Sequence, residues 1–378
     1  MLRIEEETAR FTFAEDHLLP VKIRVIGVGG AGGNAINRMV YSKIKGVQLI
    51  AANTDIQSLR ASMAPIKLQI GAKVTGGHGC GGIPELGRQA AFEDTERLLD
   101  LLAGAHMVFI TGGFGGGTCT GAGPVIAGLA ADAGALTVAV VITPFSFLGK
   151  KRRMYAEEGI RDLKGVVDTL ITIPNDSLLS VLGEDALLED CFRLADDVLC
   201  QAVQGISDII TKPGIVNVDF AHVRTLMHGK GAALVGTGVA QGQNRAVEAA
   251  QRAVSNPLLE TPMNGAKAVL MNITGSRRSF KLREAEAAAG IIEEIVCPED
   301  MIFGAVYDDS MGDQMKVTVI ATGFRQREGE AAQYEHLPGC DNAVLLNPAV
   351  KPEKASDLRL PSADENLDVS TFRRWYAR

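Results

Sequence analysis

The stretch MVFITGGFGGGTCTGAG, residues 107–123, decides how this chain is read. Met107 to Thr111 form a strand with no polar alternation, the pattern of a strand buried on both faces. Glycine then fills positions 112, 113, 115, 116 and 117. Three consecutive glycines let several backbone N–H groups turn toward one anion, with no Cβ to hold that anion away. Thr118 and Thr120 add hydroxyl donors. A helix beginning near Thr118 adds the partial positive charge of its N-terminus. There is no lysine in the loop, so it is not a Walker-type phosphate loop. It reads as a backbone cradle for a polyphosphate.

A second glycine loop lies upstream in VIGVGGAGGN, residues 25–34. It too follows a strand and opens a helix. Gly27, Gly29 and Gly32 fit the GxGxxG spacing, and the acidic Asp55 ends the next strand. Taken alone, this is the turn of a dinucleotide-binding oxidoreductase. The signal is weak, because any phosphate at a helix N-terminus needs the same steric freedom. A dehydrogenase of that kind has no use for the second cradle at 112–121 and leaves it unexplained.

Around these loops the chain alternates apolar strands with helices. VKIRVIGV, VQLIAANTD, MVFITGG, ALTVAVVITPF and VVDTLITIPND read as strands of a parallel sheet covered on both faces. Helices are expected at about 33–44, 84–103 and from 118 onward. A long helical stretch from Leu187 to Thr211 ends at Pro213-Gly214. Beyond it, AALVGTGVA, AKAVLMNITG, DMIFGAVYD and MKVTVIATG flank helices at about 243–255 and 282–295, a smaller α+β unit. The expected organisation is an arm at 1–20, a nucleotide domain at 21–186, a connecting helix at 187–213, an α+β domain at 214–324, a charged linker at 325–363 and a terminal peptide at 364–378.

With 378 residues, two packed domains or one large domain plus a tail are expected. The 5% aromatic content makes the core aliphatic. A net charge of −7 argues against general nucleic-acid binding, which needs an extended cationic surface. No apolar run is long enough to span a bilayer. The acidic start MLRIEEETARFTFAED lacks a signal-peptide pattern, so a cytoplasmic location is expected. The six cysteines contain no CxxC pair and read as reduced, buried thiols, not a zinc site.

The 111–121 loop resembles the GGGTGTG signature of the FtsZ and tubulin family, with Cys119 in place of a glycine. The resemblance extends over residues 20–325. VIGVGGAGGNAINRM, NTD at 53–55, PFSFLGKKR at 144–152, LITIPND at 170–176, AVQGISDIIT at 202–211 and NPLLE at 256–260 are all similar to family motifs. GIVNVDFAHVRTLM at 214–227 resembles the family's catalytic loop, and LDVSTFRR in the tail resembles its docking peptide. This implies an α/β, tubulin-like fold: a Rossmann-like parallel-sheet GTP-binding domain, a long central helix and a smaller α+β C-terminal domain.

The resemblance also implies roles. Gly29, Gly30, Ala31, Gly32 and Gly33, with Gly115, Gly116, Gly117, Thr118 and Cys119, would hold the phosphates of GTP. Asn34 and Asp197 would read the guanine edge, whose two adjacent N–H donors suit a carboxylate. Phe192 would stack on the base, Arg152 would reach the ribose or phosphates, and Asp55 would lie near magnesium and the terminal phosphate. Hydrolysis in the family is built between subunits, with acidic residues of one subunit's loop positioning water at the next subunit's GTP. Asp219 matches the first acidic position. His222 stands where the family has its second aspartate. An imidazole, with an ordinary pKa near ~6.5, orients water only when neutral and in the right tautomer. The implied protein is a self-assembling filament GTPase of the division ring, slowed by His222. The alternative is a non-hydrolysing paralogue that copolymerises with a second FtsZ. Leu367–Arg378 would dock membrane tethers or division proteins. Further departures are Ile83, Leu148 and Asp196, where the family has Asn, Glu and Asn.

Overall fold

The structure, a computed structural model, describes residues 21–182, 187–212, 214–216, 218–256 and 262–324. The arm at 1–20, the linker at 325–363 and the docking peptide at 364–378 lie outside the described residues. In chain order the elements are β1 (Ile23–Val28), α1 (Gly29–Tyr41), β2 (Val47–Asn53), α2 (Ile56–Ala61), β3 (Ile66–Gln69), α3 (Ala72–Thr75), α4 (Pro84–Glu93), α5 (Thr95–Leu102), β4 (Met107–Gly113) and α6 (Thr118–Asp132). There follow β5 (Leu136–Thr143), α7 (Lys150–Lys164), β6 (Thr169–Pro174), α8 (Asn175–Leu182), α9 (Leu188–Thr211), β7 (Gly214–Val216), α10 (Phe220–Met227), β8 (Gly231–Gln241), α11 (Arg245–Val254), β9 (Ala268–Gly275), α12 (Leu282–Val296), β10 (Asp300–Tyr307) and β11 (Gln314–Thr322).

The first six strands pair in parallel in the order β3-β2-β1-β4-β5-β6. Each central strand feeds two cores by simple alternation. Met107 and Phe109 of β4 join one core, and Val108 and Ile110 join the other. That is why these strands carry no polar face. The order reverses direction at β1 and β4, which opens a crevice at the carboxyl ends of those strands. The remaining strands form a mixed stretch, β8-β11-β9-β10-β7, joined to the first by backbone pairing of Thr169 and Leu170 with Gly231 and Ala232. Helix α9 places Leu199, Val203 and Ile206 in the core shared with β1, β4 and β5.

Three details differ from the sequence expectation. Helix α1 starts at Gly29, four residues early, so the glycine run is its first turn. Those glycines allow β1 and α1 to interlock. A Cβ on Gly27 would lie 2.2 Å from the Gly32 carbonyl oxygen, and one on Gly32 would lie 2.7 Å from that of Thr111. The expected helix over 84–103 is two helices. The break is at Asp94, whose carboxylate accepts the Gly71 N–H and an Arg97 N–H, each at 2.7 Å. Helix α7 escapes a periodicity reading because KKRRMYAEEGIRDLK buries only Ala156, Gly159 and Leu163.

Helix α10 lies at the amino ends of the parallel strands. Thr169, the first residue of β6, donates its hydroxyl to the Met227 carbonyl at 2.5 Å. His228 Nδ1 sits 2.6 Å from a carboxylate oxygen of Asp168. The Phe220 ring lies 6.3 Å from that of His106, just before β4.

Candidate functional site

The carboxyl ends of β1, β4, β5 and β6 converge on a groove of about 400 Å3. Gly29, Gly30, Ala31, Gly115, Gly116, Gly117, Thr118, Cys119, Arg152 and Phe192 all line it. Gly33 and Asn34 line an adjoining pocket that shares Gly29 and Gly30 with the first. Gly32 is buried beneath, in the β1–α1 interlock.

The glycines divide by what surrounds them. Gly115 has φ of +91°, and a Cβ there would lie 2.7 Å from the Arg152 carbonyl oxygen, so the turn itself requires glycine. Its N–H donates to Thr120 Oγ1 at 2.9 Å. Gly115 therefore shapes the loop, and its amide is engaged within it. Gly30, Gly33 and Gly116 are different. A Cβ at any of them would meet no protein atom within 4 Å. Their bareness is unexplained by the protein's own packing and fits a ligand that occupies that space. Thr118 and Cys119, in the first turn of α6, line the same groove, and a helix start has no internal acceptors for its first amides.

Thr118 is fixed by a small polar cluster. Its hydroxyl lies 2.8 Å from that of Thr54 and 3.5 Å from the Cys80 sulfur. This ties the loop after β2 and the 76–83 loop to the start of α6. Cys119 lies within the α6 turn, where a side chain fits, and among the described residues only Lys43 and Cys297 combine a side chain with positive φ. Its sulfur points away from the groove into the core, 2.5 Å from where Gly112 would carry a Cβ. Burial pushes this thiol up to about 12, so it stays protonated at neutral pH.

Phe192 is 45% exposed and stands edge-on to Phe145 at 5.8 Å, with Phe145 stacked on Phe147. It offers an open aromatic face at the groove. Arg152 is exposed at the first turn of α7. Asn175 was not among the expected site residues. It is 4% exposed, lines the groove, and its Oδ1 has no hydrogen-bond partner. Its place just after a parallel strand is the signal that could have found it.

The two expected aspartates are already engaged. Asp197 on α9 is paired with Arg38 on α1 through two nitrogens. Asp55 caps α2, accepting the Gln57 N–H at 2.9 Å and the Ser58 hydroxyl at 2.6 Å. The Ser58 hydrogen bond, more than any other cause, holds its carboxyl below the usual range. Neither aspartate lines the groove itself. Among the described residues no cluster of three His, Cys, Asp or Glu could hold a metal ion. Asp219, which caps α10, and His222, in its first turn, are at the far end of the strands. β6 alone has six residues, which places them about 20 Å or more from the groove.

Asp196 shows a distinct electrostatic effect. Burial, then the neighbouring Asp197 charge, pushes its carboxyl up to about 7, with Arg38 opposing. The folded state therefore holds a proton that the unfolded chain gives up near pH ~3.9. The stability this contributes is full below that value and is lost as pH rises to about 7. Asp196→Asn should accordingly stabilise the fold at pH 8 by about 1–2 kcal/mol after solvent screening, with no gain near pH ~3. Urea denaturation at both pH values checks this. An equal effect at the two would contradict the assignment.

The family model of the Tubulin/FtsZ GTPase domain matches residues 22–183, and that of the FtsZ C-terminal domain matches 231–325. An FtsZ dimer structure from M. jannaschii is 39% identical, with 81% of this chain and 89% of that chain covered at a TM-score of 0.76. A point mutant of M. jannaschii FtsZ is 40% identical, covering 81% of this chain and 92% of that chain, at a TM-score of 0.77. The protofilament structure of CetZ2 from Haloferax volcanii, bound to GTPγS, shares the fold at 21% identity, covering 81% and 94%, at 0.70. The fold, the two glycine loops at one groove and these matches together show that the chain belongs to the FtsZ family of tubulin-like GTPase-domain proteins.

Proposed function

We propose that this protein binds GTP in the groove and assembles head to tail into filaments, with hydrolysis completed between subunits. The observation that carries this reading is the separation of the two halves of the site. The phosphate loops are at the carboxyl ends of the strands, and Asp219 and His222 are at the amino ends. One chain cannot bring them together. A second copy stacked with its α10 over the first copy's groove does so, and the contact is heterologous, which yields an open filament.

Gly30, Gly33 and Gly116, with the α6 amides, receive the phosphates. Phe192 stacks on the base. Asp197 exchanges part of its pairing with Arg38 for the guanine N–H groups, with Asn34 beside it. Arg152 and Asn175 hold the ribose side. Magnesium suits one carboxylate plus phosphate oxygens, and Asp55 is the residue that would hold it, neutralising charge on the phosphates. His222 in place of an acid slows the water-activating step. The cellular role in this reading is filament assembly at a cytoplasmic division ring, with Leu367–Arg378 docking tethers or division proteins. A second FtsZ paralogue is the partner if this chain tunes another's filaments.

The test is nucleotide-dependent sedimentation. GTP should drive the protein into the pellet and ATP should not. Asp197→Ala should weaken GTP binding by about tenfold, the usual loss for a hydrogen bond to a charged group. Equal assembly with ATP would overturn the reading.

A further inference from the structure

The cavity beside the groove has a donor pattern of its own. It holds about 280 Å3 between α1, α2 and the end of β2, and it shares the Gly29–Gly30 backbone with the groove. Strand alternation puts the Asn53 side chain here. Leu49 and Ala51 of β2 face the core beneath α1, whereas Ile50 and Ala52 face the other core, so Asn53 follows Leu49 and Ala51. Thr54 turns the opposite way, to Thr118 and Cys80.

Two asparagines have fixed amide orientations in this cavity. A backbone N–H can only donate, so an amide that meets one must present its oxygen. Asn53 Oδ1 accepts the N–H of Thr54 at 2.8 Å and that of Asp55 at 3.3 Å. Asn37 Oδ1 accepts the Met63 N–H at 2.7 Å and the Ser62 hydroxyl at 3.1 Å. Both NH2 groups are therefore turned away from these partners, and neither finds an acceptor among the described residues. Asn53 is 6% exposed. A donor that deep costs free energy unless something from outside the chain accepts from it. The hydroxyls nearby are already spent, Ser58 on Asp55 at 2.6 Å and Ser62 on Asn37. Among the described residues no charged side chain lines the cavity, so no carboxylate repels an anion from its wall.

We propose that this cavity is an oxyanion site for a phosphate group, with the NH2 groups of Asn53 and Asn37 as its donors. The position argues for phosphate among oxyanions. Gly30 lines both spaces, and a Cβ there would meet no protein atom within 4 Å, so no side chain closes the wall at that point. Two sources share this chemistry: the inorganic phosphate left by hydrolysis, and the terminal phosphate of the bound nucleotide. Both rest on the reading of the groove as a GTP site.

The experiment is calorimetric titration of the full chain with inorganic phosphate, GDP and GTP, for wild type, Asn53→Asp and Asn37→Asp. Aspartate keeps the oxygen that the backbone partners need and replaces the NH2 by an anionic oxygen. Thermal denaturation shows that each variant is folded, and the half-buried position 37 serves if the buried charge at 53 is not tolerated. If free phosphate fills the cavity, GDP-loaded wild type binds it. The variants then bind it about 10- to 100-fold more weakly and keep the wild-type preference for GTP over GDP. If the terminal phosphate of the nucleotide fills it, the variants lose that preference by a similar factor while their GDP affinity holds. The site is overturned if the folded variants match wild type in both phosphate affinity and the ratio of GTP to GDP affinity, the behaviour of a cavity that holds water alone. The nucleotide-free protein separates this test from the GTP reading. Phosphate bound there and lost in the variants, with no GTP binding by wild type, would sink that reading and leave the oxyanion site standing.

Discussion

His222→Asp is expected to raise GTP turnover at neutral pH by about 10- to 1000-fold, the scale of restoring a positioned base. A carboxylate is anionic at neutral pH, so it both orients water and holds a cation. An imidazole orients water only when neutral, and it carries no negative charge at any pH. The geometry favours a clean result. Position 222 is on the exposed third residue of α10, and its backbone N–H is satisfied by Asp219 whatever side chain it bears. The fold should not notice the change. Single-turnover and steady-state phosphate release, each at matched polymer mass, read the effect. An unchanged rate would mean that Asp219 suffices and the substitution is tolerated.

The second large effect separates two glycines that look alike in sequence. Gly116→Ala should leave thermal stability within about 0.5 kcal/mol of wild type, because a Cβ there meets no protein atom within 4 Å. It should nonetheless weaken GTP binding by about 10- to 100-fold, since the methyl group enters the space assigned to a phosphate and overpacking of this kind costs about 1–3 kcal/mol. Gly121→Ala should do the opposite kind of damage. Its Cβ would lie 1.8 Å from the Pro84 carbonyl oxygen, where α6 and α4 cross with no side chain between them. Backbone must move, and the protein should unfold well before it loses any nucleotide contact. Thermal denaturation and nucleotide titration of the two variants tell the cases apart. Normal GTP affinity in a stably folded Gly116→Ala protein would remove the phosphate from that position.

The two loops were legible in sequence for a simple reason. A backbone cradle demands glycine, and clustered glycine after an apolar strand has few other uses. Strands such as MVFITGG were equally plain, because burial on both faces leaves no polar residue to confuse the pattern. Where side chains elsewhere in the chain decide, the sequence was silent. Nothing local announces that Asp94 will accept from Gly71 and split one helix into two. Helix α7 has too few apolar positions to show its period. In the site, Gly115 and Gly116 are neighbours with different surroundings, and only the Arg152 carbonyl and the Thr120 hydroxyl reveal it. Cys119 was ambiguous as a letter and is unambiguous in place, with its sulfur in the core. His222 stood out as a missing acid.

If the catalytic groups of one subunit serve the nucleotide of the next, turnover must depend on how often subunits meet. Phosphate release per subunit, measured at saturating GTP as protein concentration rises, tests this most directly. Near-zero turnover is expected in dilute protein, with a superlinear rise once subunits assemble. A rate per subunit that stays constant from dilute to concentrated protein would show a site complete within one chain, and would contradict the between-subunit mechanism.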